Sequence, residues 1–229
     1  MKKITFLAVV FTIGISYGQQ NQNNEVLILE KGRWFLGGNA SLDITSAENE
    51  NDAGTGENDR WSVDLNGKTG HFFANNLLVG LGIGYGHTNS ENTNRDMGNQ
   101  TDTTGFNIQD LSLYPFIRGY KSIVKKIALF LEGEARYSRI WRNNTLDNRT
   151  TSESTINQVF IGLRPGFTYF ATTNLAFEAN LGVMGYSYND GESESFNTNG
   201  PNPMGQSQSS SFTLSLNPSN LFFGLAYYF

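Results

Sequence analysis

The sequence predicts an all-β chain: an eight-stranded antiparallel up-and-down transmembrane β-barrel. Three observations carry that prediction. Apolar and polar residues alternate with a period of two over most of the chain beyond residue 33, the signature of strands with one apolar face. Short connections and long polar ones follow each other in strict alternation. The chain closes on an aromatic strand with no polar tail.

Composition removes several alternatives. The 229 residues include no cysteine, so neither a disulfide framework nor a thiolate metal site is available. A net charge of −5 without a basic stripe argues against a nucleic-acid surface. Abundant Gly, Asn, Ser and Thr favour strands and turns, while 17 Phe and 10 Tyr are too many for a disordered chain.

Residues 1–18 read as a signal peptide. Lys2 and Lys3 are followed by an apolar run from Ile4 to Ile15, and Ser16-Tyr17-Gly18 places small residues before a cleavage point at Gln19. A transmembrane helix would need about 20 apolar residues. Loss of Lys2 and Lys3 takes the charge of the mature chain from −5 to −7. Residues 19–33 are expected to form a short periplasmic N-terminal segment, and 34–229 the barrel.

The first strand carries Trp34, Leu36, Ala40, Leu42 and Ile44 on one face and Phe35, Asn39, Ser41 and Asp43 on the other. In the second, Trp61, Val63 and Leu65 oppose Ser62, Asp64, Asn66 and Lys68. In the third, Leu77, Val79, Leu81, Ile83 and Tyr85 oppose Gly80, Gly82, Gly84 and Gly86. The fourth, Phe106 to Arg118, changes phase near Asp110, which predicts a bulge there. The fifth sets Ile127, Leu129, Leu131, Ala135 and Tyr137 against Phe130, Glu132, Glu134 and Arg136. The sixth sets Val159, Ile161, Leu163, Pro165 and Phe167 against Gln158, Phe160, Gly162 and Arg164. The seventh runs Leu175, Phe177, Ala179, Leu181, Val183 against Glu178 and Asn180. The last sets Leu221, Phe223, Leu225, Tyr227 and Phe229 against Phe222, Gly224, Ala226 and Tyr228, with Pro218 interrupting its start.

Short links are expected at Phe73–Asn76, Gly119–Lys126 and Ala171–Asn174, and long ones at Ser46–Asp59, Ser90–Gly105, Asn143–Thr155 and Asn189–Ser210. This asymmetry belongs to bacterial outer-membrane barrels, whose periplasmic turns are short and whose extracellular loops are long. An even strand count then puts both termini in the periplasm. Aromatics near both strand ends fit interfacial girdles. A soluble β-sandwich or lipocalin-like barrel also alternates, but would spread charge evenly over a solvated face.

Several segments are similar to the small porin-like outer-membrane β-barrel family of the OmpX/OmpA type. Gly70-His71-Phe72-Phe73-Ala74-Asn75-Asn76-Leu77 resembles its recurring turn. The pattern returns as Gly166-Phe167-Thr168-Tyr169-Phe170-Ala171-Thr172-Thr173-Asn174-Leu175, and Pro115-Phe116-Ile117-Arg118-Gly119-Tyr120 resembles another family stretch. The resemblance implies that Tyr227 and terminal Phe229 form the signal read by the barrel-assembly machinery. It also implies a chain embedded in lipid beside lipopolysaccharide. It specifies a fold and no activity.

For chemistry, the lumen-facing charges are Asp43, Asp64, Lys68, Glu132, Glu134, Arg136, Arg164 and Glu178. An eight-stranded interior is just wide enough for side chains to fill. These charges are therefore expected to pair as a plug, Arg136 and Arg164 facing Glu132, Glu134 and Glu178; a gated narrow path for solutes is the alternative. Glu132 and Glu134 as an acid/base pair lack a substrate pocket. His71 is expected by a periplasmic turn and His87 at the outer end of the next strand, on opposite sides of a hydrocarbon layer about 30 Å thick, so they cannot share a site, although His87 with Ser90 or Glu91 mimics a lipid-modifying dyad. No nucleophile elbow, phosphate loop or zinc motif occurs. Acidic Glu48, Glu50, Asp52, Glu57 and Asp59 lack the spacing of a calcium loop, and Asp190, Glu192 and Glu194 form a second acidic stretch. Lys121, Lys125 and Lys126 suit a surface near lipid phosphates. The reading is a non-enzymatic surface protein with no cofactor, no metal and no nucleic-acid partner; its extracellular ligand is open.

Overall fold

Period-two alternation becomes a single antiparallel sheet closed on itself. The structure, a computed structural model, describes residues 27–229 except 52–53, 97–100, 148, 198–199, 202–204 and 216–221. The expected signal peptide and Pro218 lie outside the described residues. The strands are β1 (Trp34–Asn51), β2 (Gly54–Ala74), β3 (Leu77–Asp96), β4 (Thr101–Val124), β5 (Ile127–Leu146), β6 (Arg149–Phe170), β7 (Leu175–Asn180), β8 (Val183–Asn197), β9 (Gly200–Pro201), β10 (Gly205–Ser215) and β11 (Phe222–Tyr228).

Strands β1 to β6 pair each with the next, β6 pairs β7, β7 pairs β11, and β11 returns to β1, a ring of eight. Closure is direct: Leu36 faces Tyr227 and Asn39 faces Gly224. Beyond the ring, β8 continues along β6 and β10 along β8. A closed ring satisfies backbone donors and acceptors that an open edge would leave unpaired.

Two of the short connections are tight. Asn75 and Asn76 join β2 to β3, and Asn76 takes a positive φ of 60°, a conformation Asn tolerates. The expected link Gly119–Lys126 is much shorter: β4 runs on to Val124, because Tyr120 and Ser122 continue the inward alternation, and a register shift falls between Ser122 and Val124.

Three further expectations change. The long links are not irregular loops. Asn51 pairs with Gly54, Arg95 with Thr101 and Leu146 with Arg149, so the strands run out as hairpins. Polar residues on both faces hide this in the sequence, yet their backbones still pair. The bulge expected at Asp110 is absent, since β3–β4 and β4–β5 keep one register through it. What changes there is chemistry, not phase: Phe106 and Ile108 stay on the inward side with Asp110, while the outward side turns polar at Asn107 and Gln109. The bulge falls instead at Leu181–Gly182. There the outward set switches from odd numbers (Phe177) to even ones (Met184, Tyr186), against the expected run through Val183. Leu181 N–H donates to Pro165 O, and Pro165 has no N–H to return.

The interior splits into layers. At the short-turn end Phe35, Phe72, Leu78, Tyr120, Phe130, Phe170 and Tyr228 pack into one cluster. Residues 27–33 cross this end as a cap. Leu29 is fully buried, its N–H bonds Asn76 Oδ1, Asn76 N–H bonds Leu29 O, and Ser122 Oγ donates to Leu27 O. The outward face is the reverse of a soluble surface. Leu36, Leu81, Ile83, Leu113, Ile117, Ile161, Phe177 and Leu225 are all exposed, and Ile161 is 63% accessible.

Candidate functional site

Inward positions on neighbouring strands bring the charged side chains to one height. Glu132 on β5 sits between Arg118 on β4 and Arg164 on β6 in the ladder. Large inward side chains fit because β3 contributes glycines there: a Cβ on Gly82 would lie 2.3 Å from the Tyr114 ring, and one on Gly80 2.6 Å from Phe116.

The centre of the plug is Arg118, 1% exposed. Its Nε donates to Glu132 Oε2 at 2.8 Å and its Nη1 to Glu178 Oε1 at 2.7 Å and to Tyr120 Oη at 3.0 Å. Its guanidinium carbon stands 4.2 Å over the Phe130 ring. Lys68 Nζ pairs with the other oxygen of Glu132. Tyr228 Oη donates to Glu178 Oε1 at 2.8 Å and lies 3.1 Å from Tyr120 Oη. A second group sits beside it. Glu134 takes Arg164 through Nε and Nη2, both at 2.9 Å, and Arg136 through Nη2 at 3.2 Å. Arg136 also lies 3.8 Å over Tyr114. Buried charges must be paired in this way, and Glu132 and Glu134 side chains are wholly inaccessible.

Lys68, Glu132, Glu134, Arg136, Arg164 and Glu178 are thus gathered, although Arg136 and Arg164 meet only Glu134. Asp64 corrects the expectation. Among the described residues it makes no ion pair, and accepts instead from Ser41 Oγ at 3.3 Å. It faces Gly86 across the ladder, whose other neighbour is Asp110, so a second carboxylate stands across from it. Asp43 accepts from Thr45 Oγ1 at 3.3 Å.

Two functional side chains escape the sequence reading, Arg118 and Tyr228. Arg118 stands beside an expected turn in the sequence, and its even-numbered register with Ser112, Tyr114, Phe116 and Tyr120 is the available signal. In Tyr227-Tyr228-Phe229 the outward pair draws attention, but the inward ring builds the core: Tyr228 packs on Phe35 at 5.4 Å and Phe170 at 5.0 Å. Tyr227 and Phe229 stack outside at 5.9 Å. The carboxyl-terminal residue is held by backbone bonds in both directions with Trp34.

Both histidines lie outside the ring. His71 meets Trp34 at 5.0 Å, and His87 meets Trp61 at 4.7 Å. His71 faces Val79, which precedes His87 by about 26 Å of strand. No three metal-ligating side chains gather among the described residues.

On the long-link side of the plug lies a polar cavity of about 240 Å³. Asp64, Lys68, Tyr114, Arg136, Arg164 and Asn180 contribute to its wall.

No family model matches the sequence and no curated protein does. Among solved structures, similarity extends to the outer membrane protein OprG from Pseudomonas aeruginosa (11% identity over 87% of this chain and 97% of that one, TM-score 0.47). A major outer membrane protein from Thermus thermophilus gives 19% identity over 87% and 100%, TM-score 0.43. Neisserial surface protein A gives 14% over 86% and 97%, TM-score 0.36.

Proposed function

We propose that this chain is a non-enzymatic integral protein of the bacterial outer membrane. It is an up-and-down barrel of the small OmpX/OmpA type that presents acidic hairpins outside the cell and closes its lumen with side chains. One observation carries the reading: an unbroken belt of exposed aliphatic side chains surrounds an interior of ion pairs. In water such a belt costs roughly 25 cal/mol for each Å² of apolar surface left wet, whereas lipid accepts it. From Leu77 to His87 the chain measures about 33 Å along the strand. At a tilt of ~40° that is roughly 25 Å of height, the apolar band of a membrane barrel. Trp34 with His71 and Trp61 with His87 then mark the two interfaces. The short turns and the cap of residues 27–33 face the periplasm, Tyr227 and Phe229 form the assembly signal, and lipopolysaccharide surrounds the outer half.

The experiment is fractionation with electrophoresis of unboiled samples and planar-bilayer recording. Mature protein beginning at Gln19 should sediment with the outer membrane, migrate faster before boiling, and conduct no steady current. A soluble periplasmic protein overturns the membrane reading. Steady conductance overturns the plug and favours the narrow solute path.

A further inference from the structure

Above its apolar belt the outward face of the ring carries carboxylates, among them Glu57, Asp59, Glu91 and Glu153. At the outer border of the belt it carries, among the described residues, one cation, Arg139 on β5. Arg139 is exposed on the same side of the strand as Tyr137 and Trp141, and its guanidinium carbon lies 5.7 Å from the centre of the Trp141 ring. It enters none of the ion pairs among the described residues.

The height of Arg139 follows from the stagger of the ladder. Arg139 faces Leu111, and Leu111 faces Tyr85, two residues short of His87. Two residues of a strand tilted at ~40° are about 5 Å of height. Rows of partners climb toward the long links around the ring: the row that begins at Trp34 passes Val79 and Gly133 and ends at Leu214 on β10. At that tilt each step between strands, ~4.8 Å wide, rises by about 3 Å. The two steps from β3 to β5 therefore bring Arg139 level with His87 and its neighbour Trp61. The side chains around it are uncharged donors. Asn157 stands directly opposite on β6, and its Oδ1 accepts from the Tyr137 hydroxyl at 2.8 Å, which leaves Nδ2 to donate. Gln109 stands diagonally on β4, opposite both Trp141 and His87. Glu91 and Glu153 lie four residues beyond His87 and Asn157, about 13 Å along their strands.

We propose that Arg139, with Asn157 and Gln109, binds a phosphate of an outer-leaflet lipid, the phosphorylated glucosamine head of lipopolysaccharide. A guanidinium meets phosphate oxygens through paired charge-assisted hydrogen bonds, the strong class. The two amides donate to the remaining oxygens, Tyr137 and Trp141 flank the head, and the acyl chains descend over the belt. Charge complementarity selects this occupant: at the border of a hydrocarbon layer an arginine without a carboxylate partner finds its counter-charge in the lipid head. The inference rests on the proposed orientation, which puts the long links outside the cell.

The test is native mass spectrometry of the mature barrel in detergent micelles titrated with lipid A, the bisphosphorylated anchor of lipopolysaccharide. The same lipid stripped of its phosphates and inorganic phosphate are the companion probes. Folding is checked in each sample by gel shift on boiling. One lipid A should stay on each wild-type chain, the dephosphorylated lipid should not, and inorganic phosphate at equal concentration should not displace it. Arg139→Gln should fold normally and hold lipid A about tenfold more weakly. Arg142→Gln removes the same charge from the other side of β5, where Arg142 lies over Phe106 and bonds Asn144, and should bind as the wild type does. Equal retention of the dephosphorylated lipid overturns the proposal, as does displacement by inorganic phosphate. So does wild-type affinity in Arg139→Gln, or an equal loss in Arg142→Gln. Fractionation decides the membrane reading separately, so an outer-membrane barrel whose Arg139→Gln variant keeps lipid A condemns only the site.

Discussion

The same strands are held by different forces at their two ends. Toward the short turns the ring is filled: Phe35, Phe72, Phe130 and Tyr228 pack beneath Arg118 and its carboxylates, and Leu29 seals the floor. Toward the long links, β10 is exposed from Gly205 to Leu214 and pairs with β8 over a row of Ser, Asn and Gln. Filled interior supplies stability in the first region. In the second, ladder hydrogen bonds contribute about 1 kcal/mol or less each, because water competes for them. The comparison teaches that strand length and strand stability are separate properties: the ladder outruns the core.

That contrast can be tested at both ends. The largest effect should follow Arg118→Met, which leaves Glu178 without a cation and Glu132 with Lys68 alone in the filled region. A loss of about 3–5 kcal/mol is expected as a lower urea midpoint for the detergent-folded barrel. An unchanged midpoint would mean the plug does not hold the ring. Next comes Leu81→Arg on the outward belt, halfway between Leu77 and Tyr85. In lipid it should cost roughly 2–4 kcal/mol. On a soluble protein so exposed a position should move by less than about 0.5 kcal/mol, so this variant also judges the membrane reading. Gly82→Ala should cost about 1–3 kcal/mol, since the new methyl meets Tyr114 at 2.3 Å; full stability would show that Tyr114 has room to retreat. Smallest of all is Gln206→Ala in the exposed extension, within about 0.5 kcal/mol and with normal assembly. A large loss there would erase the distinction between the two regions.

Reading the strands from their alternation succeeds where one face is apolar and fails where neither is. β3 and β5 are legible over Leu77–Tyr85 and Ile127–Tyr137 because outward Leu and Ile alternate with Gly, Glu and Arg. Their continuations to Asp96 and Leu146 are not, since a polar residue on each side leaves no contrast. The false bulge at Asp110 has the same origin: an exchange of apolar residues between faces imitates a slip in register.

The period of two, the alternation of turn lengths and the aromatic ending dictate a closed antiparallel ring, because they depend only on which side of the strand each residue occupies. Partner choice among the charges needed the third dimension. Whether Arg136 meets Glu132 or Glu134, and whether Arg118 faces a turn or the centre, depends on strand stagger around the ring. One-dimensional spacing does not contain that stagger. The bulge opposite Pro165 resets the outward face between β7 and β8, and the glycines of β3 decide which rings lie across the interior. The cavity exists only after those choices are made, since a void is a property of packed neighbours and of no residue alone.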